Sequence, residues 1–126
     1  MIKTKELKLY IEDTGKFKKK IMRELTAIDQ GHAKKLSGDS ISFQSLDHLR
    51  KFLTPKRLEL LRFIKHKKPR SIYELAKLVG RTSENVNTDI KFLKQLGFVE
   101  VTKIKDIREK LVPEVSYDKM TLEIGI

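Results

Sequence analysis

The chain has 126 residues, and its 28 Lys and Arg against 17 Asp and Glu leave a formal charge of +11. It has no Cys, which excludes disulfides, thiolate catalysis, zinc fingers and iron–sulfur ligation. Its longest apolar run is Leu9-Tyr10-Ile11, which excludes a transmembrane helix and a secretory core.

Nine aromatics and 39% hydrophobic residues support one modest core. The three histidines, His32, His48 and His66, are isolated and form no metal-ligand pair at helical spacing. No targeting segment stands out, so the expectation is a cytoplasmic protein with no membrane partner and no cofactor. The positive balance calls for a polyanionic partner, nucleic acid first.

Taken in chain order, residues 6–11 (ELKLYI) put Leu7, Leu9 and Ile11 on one face and predict a strand. From Phe17 the spacing becomes helical, with Ile21, Leu25 and Ile28 inside and Lys16, Lys18, Lys19 and Lys20 outside. Residues 31–40 read as a loop, and residues 40–43 as a short strand. Ser45 caps a helix through Phe52 with Leu46, Leu49 and Leu53 inward.

Thr54-Pro55 is a helix start, because Thr54 can cap and Pro55 at the first helical position gives up no hydrogen bond. Leu58, Leu61 and Ile64 form its inner stripe with Leu60 beside it. Lys56, Arg57, Arg62, Lys65 and Lys67 take the outer surface, and Pro69 ends the helix. Ser71-Ile72-Tyr73-Glu74 reads as a capping box, and Gly80 stops a two-turn helix. Thr82 caps again, with Val86, Ile90, Leu93 and Leu96 inward and Gly97 as the stop. Beyond it, Phe98, Val99 and Val101, then Leu111, Val112 and Val115, predict a hairpin with a charged tip. Met120, Leu122 and Ile124 predict a last strand, and Tyr10 and Tyr117 read as sheet residues.

The charge is uneven. Residues 50–70 hold nine basic residues against Glu59 alone, whereas residues 71–126 hold nine of each sign. A short capped helix, a tight turn, a longer helix, a Gly stop and a hairpin form the sequence signature of a winged helix-turn-helix. The expected class is therefore α+β, with a three-helix core and β-hairpin wing over residues 41–126 and a strand–helix extension over residues 1–40. Leu7, Leu9, Phe17, Ile21 and Leu25 exceed what a minimal winged helix needs and are the candidate homodimer contact.

The longer helix leaves Ser83, Asn85, Asn87, Thr88 and Lys91 off its apolar stripe. Asn can bond adenine in two places at the major-groove edge, and Ser or Thr can bond either partner. Arg70, Ser71, Tyr73, Arg81 and Thr82 lie at the two helix starts, where phosphate contacts are favoured. Lys103, Lys105, Arg108 and Lys110 on the hairpin suit backbone positioning. No Gly-rich phosphate loop, nucleophile elbow or metal cluster points to an enzyme.

The runs SFQSLDHLRKFLTPKRLELLRFI, SIYELAKLVGRTSENVNTDIKFLKQLGFVEV and PEVSYDKMTLEI resemble a family of small prokaryotic DNA-binding transcriptional regulators. The chain is more distantly similar to arsenic-sensor-type and multiple-antibiotic-resistance-type repressors. The resemblance covers residues 42–124 well. It implies a winged helix, a dimer and double-stranded DNA as ligand. In some members it implies an antitoxin role, with a cognate toxin protein as further partner. Its recognition helix falls on residues 83–96. That family's pattern has His and Arg before the acidic residue, where Asn87 and Thr88 precede Asp89 here, so its operator does not carry over. The expected function is a sequence-specific DNA-binding regulator acting as a repressor, with an antitoxin as the alternative.

Overall fold

The computed structural model describes residues 5–11, 35–36, 40–105 and 107–126. Within them the chain is mixed α+β. Strands β1 (Glu6–Ile11), β2 (Lys35–Leu36) and β3 (Ser40–Phe43) come first. Helices α1 (Leu46–Phe52), α2 (Pro55–Lys67), α3 (Ile72–Val79) and α4 (Ser83–Leu96) follow. Strands β4 (Glu100–Lys105), β5 (Glu109–Glu114) and β6 (Lys119–Ile124) close the order. The helix expected from Phe17, with Ile21 and Leu25 as dimer candidates, lies outside the described residues. None of the described helices is long and apolar enough to cross a membrane.

The chain divides into two units, one from Met1–Lys51 with Tyr117–Ile126, the other Phe52–Ser116. This differs from a break after residue 40, and backbone pairing is the reason. The first unit is a four-stranded sheet in the order β2-β3-β1-β6. β1 runs parallel to β3 on one side and to β6 on the other, so the last strand belongs with the first.

Paired residues of parallel strands share a face. Leu7, Leu9 and Ile11 therefore align with Ile41 and Phe43 on β3 and with Met120, Leu122 and Ile124 on β6. On β1 and β3 that row is buried, at 3% exposure or less. Leu7 and Leu9 are thus core residues of a single chain, and burial leaves them no surface for the dimer contact expected of them. Tyr117 falls between β5 and β6 rather than in a strand, and burial pushes its phenol above the ordinary range, so it stays neutral.

The second unit packs α2, α3 and α4 around Leu60, Leu61, Ile64, Leu75, Val86, Ile90 and Leu93, with Phe98 and Val99 leading into the β4–β5 hairpin. Local chemistry sets its helix ends. The hydroxyls of Thr54, Ser71 and Thr82 accept from the amides of Arg57, Glu74 and Asn85 at 3.2, 3.0 and 3.1 Å. Gly80 and Gly97 close α3 and α4 at φ +69° and +91°. There Arg81 N donates to Ala76 O and Phe98 N to Leu93 O, the six-to-one bond of a Schellman ending. α2 ends differently: Lys68 takes φ +46° before Pro69. On α2 the inner stripe shifts by a position, with Leu60 buried and Leu58 only half-buried, because Arg57 occupies the stripe's first place. Leu46 of α1, expected inward, is 46% exposed.

A Cβ placed on Gly80 would meet no atom within 4 Å, so only the left-handed backbone opposes a side chain there. Gly80→Ala should lower unfolding free energy by about 1–2 kcal/mol in urea titrations, with the slope unchanged. Gly80→Asn should lose less, since Asn tolerates that conformation.

Candidate nucleic-acid interface

α4 buries one side and exposes the other. Val86, Ile90 and Leu93 are 2% exposed or less, whereas Ser83, Glu84, Asn85, Thr88 and Lys91 are exposed and Asn87 is half-buried. The Thr82 hydroxyl is engaged as the cap of α4. The Thr88 hydroxyl donates to Glu84 O at 3.0 Å, which leaves its oxygen able to accept from a partner.

A groove of about 470 Å³ lies where the starts of α3 and α4 meet β5. Among its lining residues are Ser71, Tyr73, Ser83, Asn87, Arg108 and Lys110, so six of the residues singled out in the sequence converge on one concavity. Glu84 and Glu109 line it too, so it is not uniformly cationic. Tyr73 is 61% exposed and Lys77 Nζ stands 4.6 Å from its ring centroid.

A second groove of about 590 Å³ on the other side of β5 includes Lys65, Lys68, Arg70 and Lys110 over an apolar floor of Ile64, Pro69 and Val112. Lys110 lines both grooves, so cations from the end of α2 and from the hairpin flank the same strand. Lys68, Arg70, Lys105, Arg108 and Lys110 form no ion pair with any described carboxylate. Lys103 is paired with Glu109 at 3.1 Å, an exposed contact of small energetic value. The unit Phe52–Ser116 has 15 Lys and Arg against 8 Asp and Glu, a net +7.

Two arginines expected at the surface are instead structural. Arg81 Nη2 is 2.8 Å from Asp89 Oδ2 and Arg57 Nε is 3.1 Å from Asp89 Oδ1. The three side chains are 22%, 13% and 15% exposed. Arg57 also donates from Nη1 to Phe52 O at 3.1 Å, and its guanidinium lies 4.4 Å from the Phe92 centroid. Phe52 meets Phe92 edge-on at 6.3 Å. Arg81 is thereby withdrawn from phosphate contact, since a guanidinium already shared with a carboxylate has little left to give a second anion. Arg81 Nη1 is enclosed without a hydrogen-bond partner among the described residues.

Residue-type reasoning missed three participants. Asp89 was visible only as the acidic residue of a family pattern, and its partners lie 32 and eight residues away. Glu84 puts a carboxylate among the hydrogen-bonding residues of the α4 face. Ile107, 96% exposed beside Arg108, gives the hairpin turn an apolar tip. The second of the two isoleucines in TKIKDIREK was the available signal for it.

The model of the HVO_A0114 family matches residues 52–122, which run from the end of α1 into β6. No curated protein matches the sequence. The family's name states no activity.

Removing the shared carboxylate strands two guanidiniums. Asp89→Ala should cost about 2–4 kcal/mol by chemical denaturation, below the fully buried limit because all three groups keep some solvent. Phe92→Leu, which removes the ring beneath Arg57 and its edge contact with Phe52, should cost about 1–2 kcal/mol.

Proposed function

The chain belongs to the HVO_A0114 family, and we propose that it is a winged helix-turn-helix regulator that binds double-stranded DNA sequence-specifically and acts as a repressor. The observation that carries this reading is the two-sided character of α4: an apolar stripe of Val86, Ile90, Leu93 and Leu96 at 7% exposure or less, and an opposite side of short hydrogen-bonding groups with one cation, Lys91, and one carboxylate, Glu84. Such a helix has the dimensions and edge chemistry to lie in a major groove. Its neighbours support the same ligand. Arg108 and Lys110 on the hairpin and Arg70 ahead of α3 are cations suited to phosphates, and none of them is ion-paired with a described carboxylate.

The division of labour follows from chemistry. The net +7 of the unit draws in the duplex by counterion release, a sequence-independent contribution that falls steeply with salt. Asn85, Asn87 and Thr88 supply base-edge contacts, and Lys91 anchors the helix to backbone. Lys105 and Arg108 position the hairpin along the strand, with Ile107 between them in sequence as an apolar tip that suits a shallow groove wall. One such module makes few base contacts, so two copies on a two-fold operator are required for useful specificity.

Selection of bound sequences from a random duplex pool, followed by fluorescence titration across a salt series, tests the reading. Affinity should fall linearly on logarithmic axes with salt. Asn87→Ala should lose about 1–3 kcal/mol on the selected duplex and little on a scrambled one. Lys105→Ala should weaken both equally and reduce the salt slope by about one. A pool that yields no preferred sequence, or binding indifferent to salt, defeats the proposal.

A further inference from the structure

The apolar row of the first unit ends without cover. Leu9 and Ile11 on β1 are 3% and 0% exposed, yet their register partners on β6, Leu122 and Ile124, are 42% and 43% exposed on the same face. β6 is also the last strand of the sheet order, and no described strand pairs with its outer side. A six-residue edge with a half-exposed apolar face is a template for another strand.

The phase of that edge is fixed. Lys119 and Gly125 give their amides to the carbonyls of Lys5 and Ile11. Peptide groups alternate along a strand, so the odd-numbered residues of β6 address β1, and Met120, Leu122 and Ile124 turn their N–H and C=O outward.

We propose that β6 pairs antiparallel with β6 of a second copy of this chain about a two-fold axis at Thr121, joining the two sheets edge to edge. Only registers that set even-numbered residues against even-numbered residues bring the outward peptide groups together. Centring on Thr121 sets Met120 against Leu122 of the partner subunit on the apolar face. On the opposite face it sets Lys119 against the partner's Glu123. The Lys–Glu pair lies in the closer, non-hydrogen-bonded kind of position, where side chains interact most, and Met120 and the partner's Leu122 exchange the backbone hydrogen bonds. The symmetry repeats each pair, giving two Lys–Glu contacts and two Met–Leu contacts. Shifting the axis to residue 120 or 122 sets Lys119 against Thr121 or Gly125 and removes both charge matches. The edge is thus self-complementary in hydrogen bonding, hydrophobicity and charge in one register.

This surface names the partner contact for the two-copy complex of the DNA-binding reading and rests on that reading for its purpose, but its test uses no DNA. The full chain is examined by sedimentation equilibrium as wild type, Lys119→Glu, Glu123→Lys, the double exchange Lys119→Glu/Glu123→Lys, and an equimolar mixture of the two single variants. Each single reversal sets like charges opposite each other twice and should weaken self-association about tenfold or more. The double exchange, and the mixture by forming mixed dimers, should recover it. Leu122→Pro removes an outward amide without touching the bonds to β1 and should also weaken association, with circular dichroism unchanged. A wild-type chain that stays monomeric at 100 times the concentration used for DNA titration overturns the proposal. So does a dimer whose association ignores the reversals, or one that the double exchange and the mixture fail to restore. The Asn87→Ala titration reads the α4 face and the charge reversals read the β6 edge, so a selective α4 face with reversals that leave association unchanged sinks this pairing alone.

Discussion

One carboxylate, that of Asp89, holds the second unit in the arrangement its proposed task requires. It accepts Arg57 from the start of α2 and Arg81 from the α3–α4 turn, while itself standing midway along α4. Three pieces of backbone are therefore tied to one point by charge-assisted bonds of 2.8 and 3.1 Å. Apolar packing alone would leave α4 free to slide along its greasy side, because dispersion and burial are non-directional. Directional bonds at two oxygens fix both its rotation and its height. The Phe92 ring beneath Arg57 and Phe52 against Phe92 extend the fixation to the entry of the unit.

That arrangement explains why two of the most basic-looking positions are not part of the candidate interface. Arginine in a cationic stretch reads as surface charge, and for Lys56, Arg62 and Lys67 it is so. Arg57 differs because it falls on the inner stripe of α2 at a place where Asp89 meets it. Beside the α4 face the cations outside any described ion pair include Arg70, Arg108 and Lys110, with Lys91 on the face itself. On the proposed reading, a face with few charges beside such cations favours discrimination over raw affinity, since phosphate attraction acts equally on every sequence.

Legibility from the sequence followed the range of the interaction. Thr54, Ser71, Thr82, Gly80 and Gly97 mark helix ends through bonds spanning three to five residues, and all five ends fall where the residue types put them. The stripe Val86, Ile90, Leu93 and Leu96 was readable because its period is the helix's own. The pairing of β6 with β1 joins residues 113 or so apart in the chain, and no local pattern reports which strands of a sheet are neighbours. The same holds for Asp89: one acid among SENVNTDI looks like any solvated carboxylate until its two guanidiniums arrive from elsewhere. The α4 face was legible as a set of polar residues off an apolar stripe, but Arg81 and Thr82 could be told apart from it only by their partners.

Glu84 sharpens what the α4 face can do on the proposed reading. A surface meant only to hold phosphates would exclude a carboxylate, because repulsion from the backbone would oppose every contact made by Lys91 and Arg108. In a major groove a carboxylate has a specific counterpart, the exocyclic amine of cytosine, while the amides of Asn85 and Asn87 match adenine. A helix start bearing both kinds of group penalises duplexes that offer neither, and it does so without adding affinity for DNA in general. The acid, at first sight the feature least suited to a nucleic-acid interface, is then the one that turns a weakly attractive face into a selective one.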